Sequence, residues 1–155
     1  MQLPSGDLDL IAIGETLVDF ISTEETDWLR NAYNFRKYLG GSPANIAVYV
    51  AKLGGQSAVI SKTGIGAMGQ FLKAELRRSG VITNYLVMDH RVHSSIVFIS
   101  RTARTADFEA FRSGDYKLEP EEIKSEAIKR SNVIHNSSWR LSRETSRSSV
   151  RIACQ

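Results

Sequence analysis

Residues 37–54, KYLGGSPANIAVYVAKLG, decide how the rest of this 155-residue chain is read. Gly40 and Gly41 open a tight loop without side chains. Ser42 stands where an N-cap belongs, and Pro43 follows at the first helical position. Ala44, Ala47 and Ala51, with Ile46 and Val50, predict a helix with a small-residue apolar face. Gly54 supplies the C′ residue that ends it. The predicted unit is a double-glycine turn feeding a helix N-terminus, with Asn45 in the first turn. Free backbone N–H groups there favour an anion or a polyhydroxylated ligand. An ordinary loop-to-helix junction would need the same glycines.

Upstream, LDLIAI (Leu8–Ile13) is short, apolar and followed by Gly14, which predicts a buried strand of a parallel sheet. Asp19 lies just beyond. Residues 22–34 are polar without a clear period and read as a loop; 34–39 reads as a short strand. Downstream, 57–61 (SAVIS) predicts a second core strand, and Phe71, Leu72, Ala74 and Leu76 predict a helix closed by Gly80. Residues 81–88 read as a further strand. Residues 94–100 and 107–111 read as two strands joined by an exposed turn at Arg101 and Arg104.

A helix is expected over 118–130. Glu119, Glu121 and Glu122 charge its start, Lys129 and Arg130 its end, and Ile123, Ala127 and Ile128 form its buried stripe. A core strand follows at 131–136. Ser142 is placed to cap a last helix, with Arg143, Arg147 and Arg151 on one solvated face. Strands alternating with helices predict an α/β fold.

The composition is that of an ordinary globular domain: 42% hydrophobic, 24% charged, net charge +3. No nucleic-acid partner is expected, because the arginines near the end lack aromatic companions. No membrane partner is expected either, since no apolar stretch approaches a spanning length. A single cysteine, Cys154, excludes an internal disulfide and suggests a reducing compartment, with the cytoplasm as the default. The first residues show no signal-peptide pattern. His90, His93, His135 and the cysteine lack metal-ligand spacing, so no metal site is predicted.

GGSPANIAVYVAKLG resembles the N-terminal signature of the ribokinase-like (PfkB-type) carbohydrate kinases, especially the fructokinase and 2-keto-3-deoxygluconate kinase branch. IAIGETLVDFI resembles that family's first strand, with its acidic residue at Asp19. AFRSGDYKLEPEEI resembles the segment carrying an aromatic–arginine pair, here Phe111 and Arg112.

The resemblance implies a layered fold with a central, mainly parallel sheet and a small β lid over 20–40 and 94–112. It covers the N-terminal half, taken as part of one domain. It implies ATP- and Mg2+-dependent phosphoryl transfer to a hydroxyl of a small sugar or sugar acid. Asp19, Gly40, Gly41 and Asn45 would hold the sugar, and Arg112 would face substrate with Phe111 and contribute to selectivity. An ionised carboxylate accepts two hydroxyl bonds, and an arginine fork suits a carboxylate or several hydroxyls. The resemblance also admits a homodimer through the lid sheet.

The family's glycine-rich turn, D-T-x-G-A-G-D, supplies the anion hole and the base. It does not occur in these 155 residues. The base and most ATP contacts are therefore expected beyond residue 155, and the chain alone is expected to lack kinase activity. Two other readings stand beside this one. The first is a noncatalytic sugar-binding or interaction module. The second is a dinucleotide-binding fragment, since Gly64, Gly66 and Gly69 spell G-x-G-x-x-G and Asp89 follows near a ribose-binding position. The resembled kinases carry acidic residues between these glycines, where this chain has Ile65 and Gly66.

Overall fold

LDLIAI forms β1 (Leu8–Ile13), and alternation sends its side chains into two separate cores. Ile11 and Ile13 face one cluster, with Ala58, Ile60, Leu118, Ile123 and Ala127. Leu10 and Ala12 face the other, with Ala44, Ala47, Val48, Val59 and Leu76. A strand buried on both faces can afford no polar alternation, which is why the run is almost wholly apolar. The chain is seen here in a computed structural model that describes residues 6–142, 144 and 146–153.

After β1 come β2 (Leu17–Glu25), β3 (Phe35–Gly40), α1 (Ser42–Lys52), β4 (Ser57–Gly64), α2 (Ala67–Arg78) and β5 (Leu86–Asp89). Then follow β6 (Ile96–Arg101), β7 (Phe108–Phe111), α3 (Ser125–Lys129), β8 (Ser131–Asn136) and α4 (Ser146–Ala153). The central sheet runs β5-β4-β1-β8, and all its pairings are parallel. α1 and α2 cover one face through the second cluster. α3 and α4 approach the other through Ala127 and Ala153. A second sheet, β3-β2-β6-β7, is mixed: β2 pairs with β6 in parallel, and the two outer pairings are antiparallel. This is the expected layered α/β arrangement, with the second sheet drawn from the segments anticipated for it. No helix among the described residues is long and apolar enough to cross a membrane.

Several elements differ from the sequence expectation, each for a tertiary reason. Residues 22–25 continue β2 instead of looping. The Ser22 hydroxyl donates to the Glu24 carbonyl and accepts the Arg101 N–H, and this carries the strand across a break in its register with β6. α1 is capped by Gly41, at φ +100°, with Ser42 and Pro43 in its first turn; no side chain caps it. Its end follows expectation. Gly54 has φ +91°, its N–H bonds the Ala51 carbonyl, and the Gly55 N–H bonds that of Val50. Of its apolar face, Ala44, Ala47 and Val48 are buried. Ile46, Val50 and Ala51 are only partly so.

The strand expected over 81–88 shrinks to β5, with a lone bridge from Ile82 to Ala58 before it. The helix expected over 118–130 breaks in two. A 3-10 turn at Pro120–Glu122 precedes extended backbone at Ile123, and α3 starts only at Ser125. The Glu122 carboxylate is held by buried Lys62 at 2.7 Å, and Leu118 and Ile123 both enter the core. β8 lies at the edge of the central sheet with Val133 53% and Ile134 38% exposed. α4 begins at Ser146, and Arg143 lies outside the described residues.

Candidate sugar site

The second sheet stands over the β1–β2 connection and the N-terminus of α1, and a cavity of about 380 Å³ lies between them. Its polar wall carries Glu15, Asp19, Ser42 and Asn45, and its apolar wall Leu17, Val97, Ile99, Phe108 and Trp139. Asp19 opposes Tyr38 and Val97 in the strand ladders, inside β2. Alternation therefore aims Leu17 and Asp19 into the cavity. It sends Phe20 to the outer face, where Phe98 meets Phe20, Phe35 and Phe111 at ring distances of 5.2, 5.1 and 6.0 Å.

Asp19 has no hydrogen-bond or ion-pair partner among the described residues. Burial raises its pKa from the ordinary 3.8 to about 6. At neutral pH most of it is ionised, and its lone pairs are available to a ligand. The paired glycines have their explanation here. A Cβ on Gly40 would lie 2.3 Å from Asp19 Oδ2, and one on Gly41 would lie 2.3 Å from the Glu15 carbonyl oxygen. Both are far inside van der Waals contact, so any side chain would evict the carboxylate or shift the turn.

Glu15 was not anticipated. It is 2% exposed; its Oε1 accepts the Ser42 N–H at 3.3 Å and its Oε2 accepts the Ser137 hydroxyl at 2.7 Å. It thus pins the end of β1, the start of α1 and the segment after β8 to one another. Ser137 in turn accepts the Trp139 backbone N–H, and the indole lines the cavity wall. Glu15 also changes what α1 offers. The Ser42 N–H is taken, Pro43 has none, and the Asn45 N–H closes onto the Gly41 carbonyl. The anion-binding helix start expected from the sequence is thereby largely spent on the protein's own carboxylate.

Of the five expected site residues, Asp19, Gly41 and Asn45 share the cavity, and Gly40 makes room for the Asp19 carboxylate. Arg112 does not line it. Its side chain is 9% exposed, and each of its three nitrogens lies within 3.1 Å of a protein oxygen: Nε and Nη2 on Asp115 Oδ2, Nη1 on the Ser142 hydroxyl. Phe111, expected to face substrate beside it, sits on the outer face, because Phe108 and Ala110 take the inward positions of β7.

Two of the three glycines of the dinucleotide pattern, Gly64 and Gly69, serve packing, while a Cβ on Gly66 would meet nothing within 4 Å. A Cβ on Gly69 would lie 1.7 Å from the Gly64 carbonyl oxygen, and one on Gly64 would lie 2.6 Å from that of Val92. Asp89, offered as the ribose acid, is held by Lys62 Nζ at 3.2 Å and Arg91 Nη2 at 2.7 Å. The arginine bonds keep its carboxyl well below the usual carboxylate range.

The pfkB family carbohydrate kinase pattern matches residues 7–154. The chain belongs to that family. Among curated relatives, it is 35% identical over 145 residues to an ATP-dependent 6-phosphofructokinase of Thermoanaerobacterium thermosaccharolyticum, covering 93% of this chain and 44% of that one. It is 37% identical over 142 residues to fructokinase-1 of Oryza sativa, covering 90% and 44%. Among solved structures, the fructokinase of Halothermothrix orenii superposes with TM-score 0.86 at 37% identity, covering 95% of this chain and 52% of that one. A Pyrococcus horikoshii sugar kinase in complex with ATP superposes at 0.87 and 34% identity, covering 91% and 47%. The chain thus spans about half the length of these relatives.

Proposed function

We propose that this chain is the sugar-binding half of an ATP-dependent sugar kinase of the fructokinase type. The reading is carried by one observation above all. Asp19 is an unpartnered, desolvated carboxylate in a cavity shared with Asn45, and its glycine neighbours leave it that place. Such a group orients a sugar by accepting two hydroxyl hydrogens, with the Asn45 amide as donor and acceptor for a third. The apolar residues of the second sheet would cover the ring and exclude water, as a lid does.

ATP and Mg2+ would supply the transferred phosphoryl group and the neutralisation of its charge. By the family resemblance, both cofactors are assigned to residues outside these 155, and the chain alone would bind sugar without turning over ATP. The half-exposed Phe111 on the outer face suits a homodimer through the second sheet, and one cysteine suits a cytoplasmic setting. Titration calorimetry with fructose and with 2-keto-3-deoxygluconate, beside a coupled ATP-turnover assay, tests the reading. Saturable heat with one sugar and no turnover is expected. Sugar-dependent turnover would overturn the claim of inactivity, and no heat with either sugar would overturn the sugar site.

A further inference from the structure

The two cationic features that the sequence offers to a negatively charged substrate are both committed elsewhere. The α1 N-terminus is answered by Glu15, and Arg112 by Asp115. Asp115 is fully buried and is itself held by Ser95, whose hydroxyl donates to Oδ1 and accepts the Ser113 N–H at 2.8 Å. Freeing Arg112 for a ligand would take its cation from that buried carboxylate, which is costly. No Lys, Arg or His stands among the described residues lining the cavity, while two carboxylates do.

Arg112 nevertheless reaches the cavity indirectly. Its guanidinium carbon lies 5.1 Å from the Trp139 ring centroid and 5.7 Å from that of Tyr116. Stacked against the indole, a guanidinium fixed by Asp115 and Ser142 holds Trp139 in place. The Trp139 N–H to Ser137 bond holds it from the backbone side. A flat aromatic ring beside an acceptor carboxylate suits a neutral sugar, whose C–H face stacks while its hydroxyls donate.

We propose that this cavity selects an uncharged sugar over a sugar acid or sugar phosphate, and that Arg112 is a positioning residue for Trp139, not an anion-binding cation. The inference rests on the sugar-site reading above and narrows its substrate class. The full chain carrying Trp28→Phe leaves Trp139 as its one fluorescent indole, because the sequence holds two tryptophans. Its emission is titrated with fructose, 2-keto-3-deoxygluconate and fructose 6-phosphate.

Fructose should change the emission saturably, with affinity at least tenfold above either anion. Arg112→Gln should shift the emission of the free protein and weaken fructose and the anions by a similar factor. Arg112→Lys, which keeps a charge for Asp115, should restore the fold and much of the fructose affinity. Tighter binding of an anion, or an Arg112 variant that loses anion affinity selectively, would overturn this inference and leave the sugar-site reading standing. No binding of any of the three would overturn both.

Discussion

Asp19→Asn should make the protein more stable while destroying its sugar affinity. A carboxyl whose pKa is held at about 6 against an ordinary 3.8 resists ionisation by about 3 kcal/mol. Partial exposure of the group screens that to about 1–2 kcal/mol. The folded pKa is the raised one, so the folded state keeps its proton to higher pH than the unfolded chain. Stability therefore falls as pH rises from about 4 to about 6, and the loss is complete above that window. Asparagine keeps the shape and carries no charge.

In urea or thermal melts at pH 7.5, Asp19→Asn should gain about 1–2 kcal/mol, a Tm rise of roughly 3–6 °C for a domain of this size. Near pH 3, where both states of the parent protein are largely protonated, the gap should close. Fructose titration in parallel should show affinity lost in the variant, and falling below pH 6 in the parent. A destabilised variant at pH 7.5, or a gain that does not vary with pH, would refute the claim that this carboxylate stands without a partner.

Three further outcomes follow from the same geometry. Gly40→Ala places a methyl group 2.3 Å from Asp19 Oδ2, so denaturation should show a loss of about 1–3 kcal/mol, and sugar titration a loss of binding. Glu15→Gln weakens two bonds that join β1, α1 and the segment after β8. It should cost about 1–3 kcal/mol by urea melt and alter the Trp139 emission. Lys62→Met leaves Glu122 without its cation and Asp89 with Arg91 only; chemical denaturation should register a loss of about 3 kcal/mol.

The sequence exposed the site where local chemistry encodes it. The GGSPAN turn, the small-residue helix ended by Gly54, and Asp19 could all be read because cap, glycine and periodicity signals act over a few residues. Glu15 and Trp139 could not. Neither is part of a local pattern, and each enters the cavity because β1 and β8 are parallel neighbours, 123 residues apart, whose carboxyl ends lie together. One signal did point there: ligands of parallel sheets gather beyond the carboxyl ends of strands, and both residues follow such an end. Arg112 misled because an arginine in a motif looks free until its buried partner is known, and Asp115 stands three residues on in a turn that no periodicity marks.

From the amino-acid order alone came the family resemblance, the alternation of strands with helices, and the glycine pair beside an acid. These depend on backbone conformation and side-chain period, which neighbouring residues set. The tertiary structure alone decided which face of β2 and β7 looks inward, where the expected helix over 118–130 breaks, and which charges are already answered. Those outcomes hang on strand pairing, on ion pairs between distant residues such as Lys62 and Glu122, and on burial, which makes a near neighbour such as Asp115 the fixed partner of Arg112.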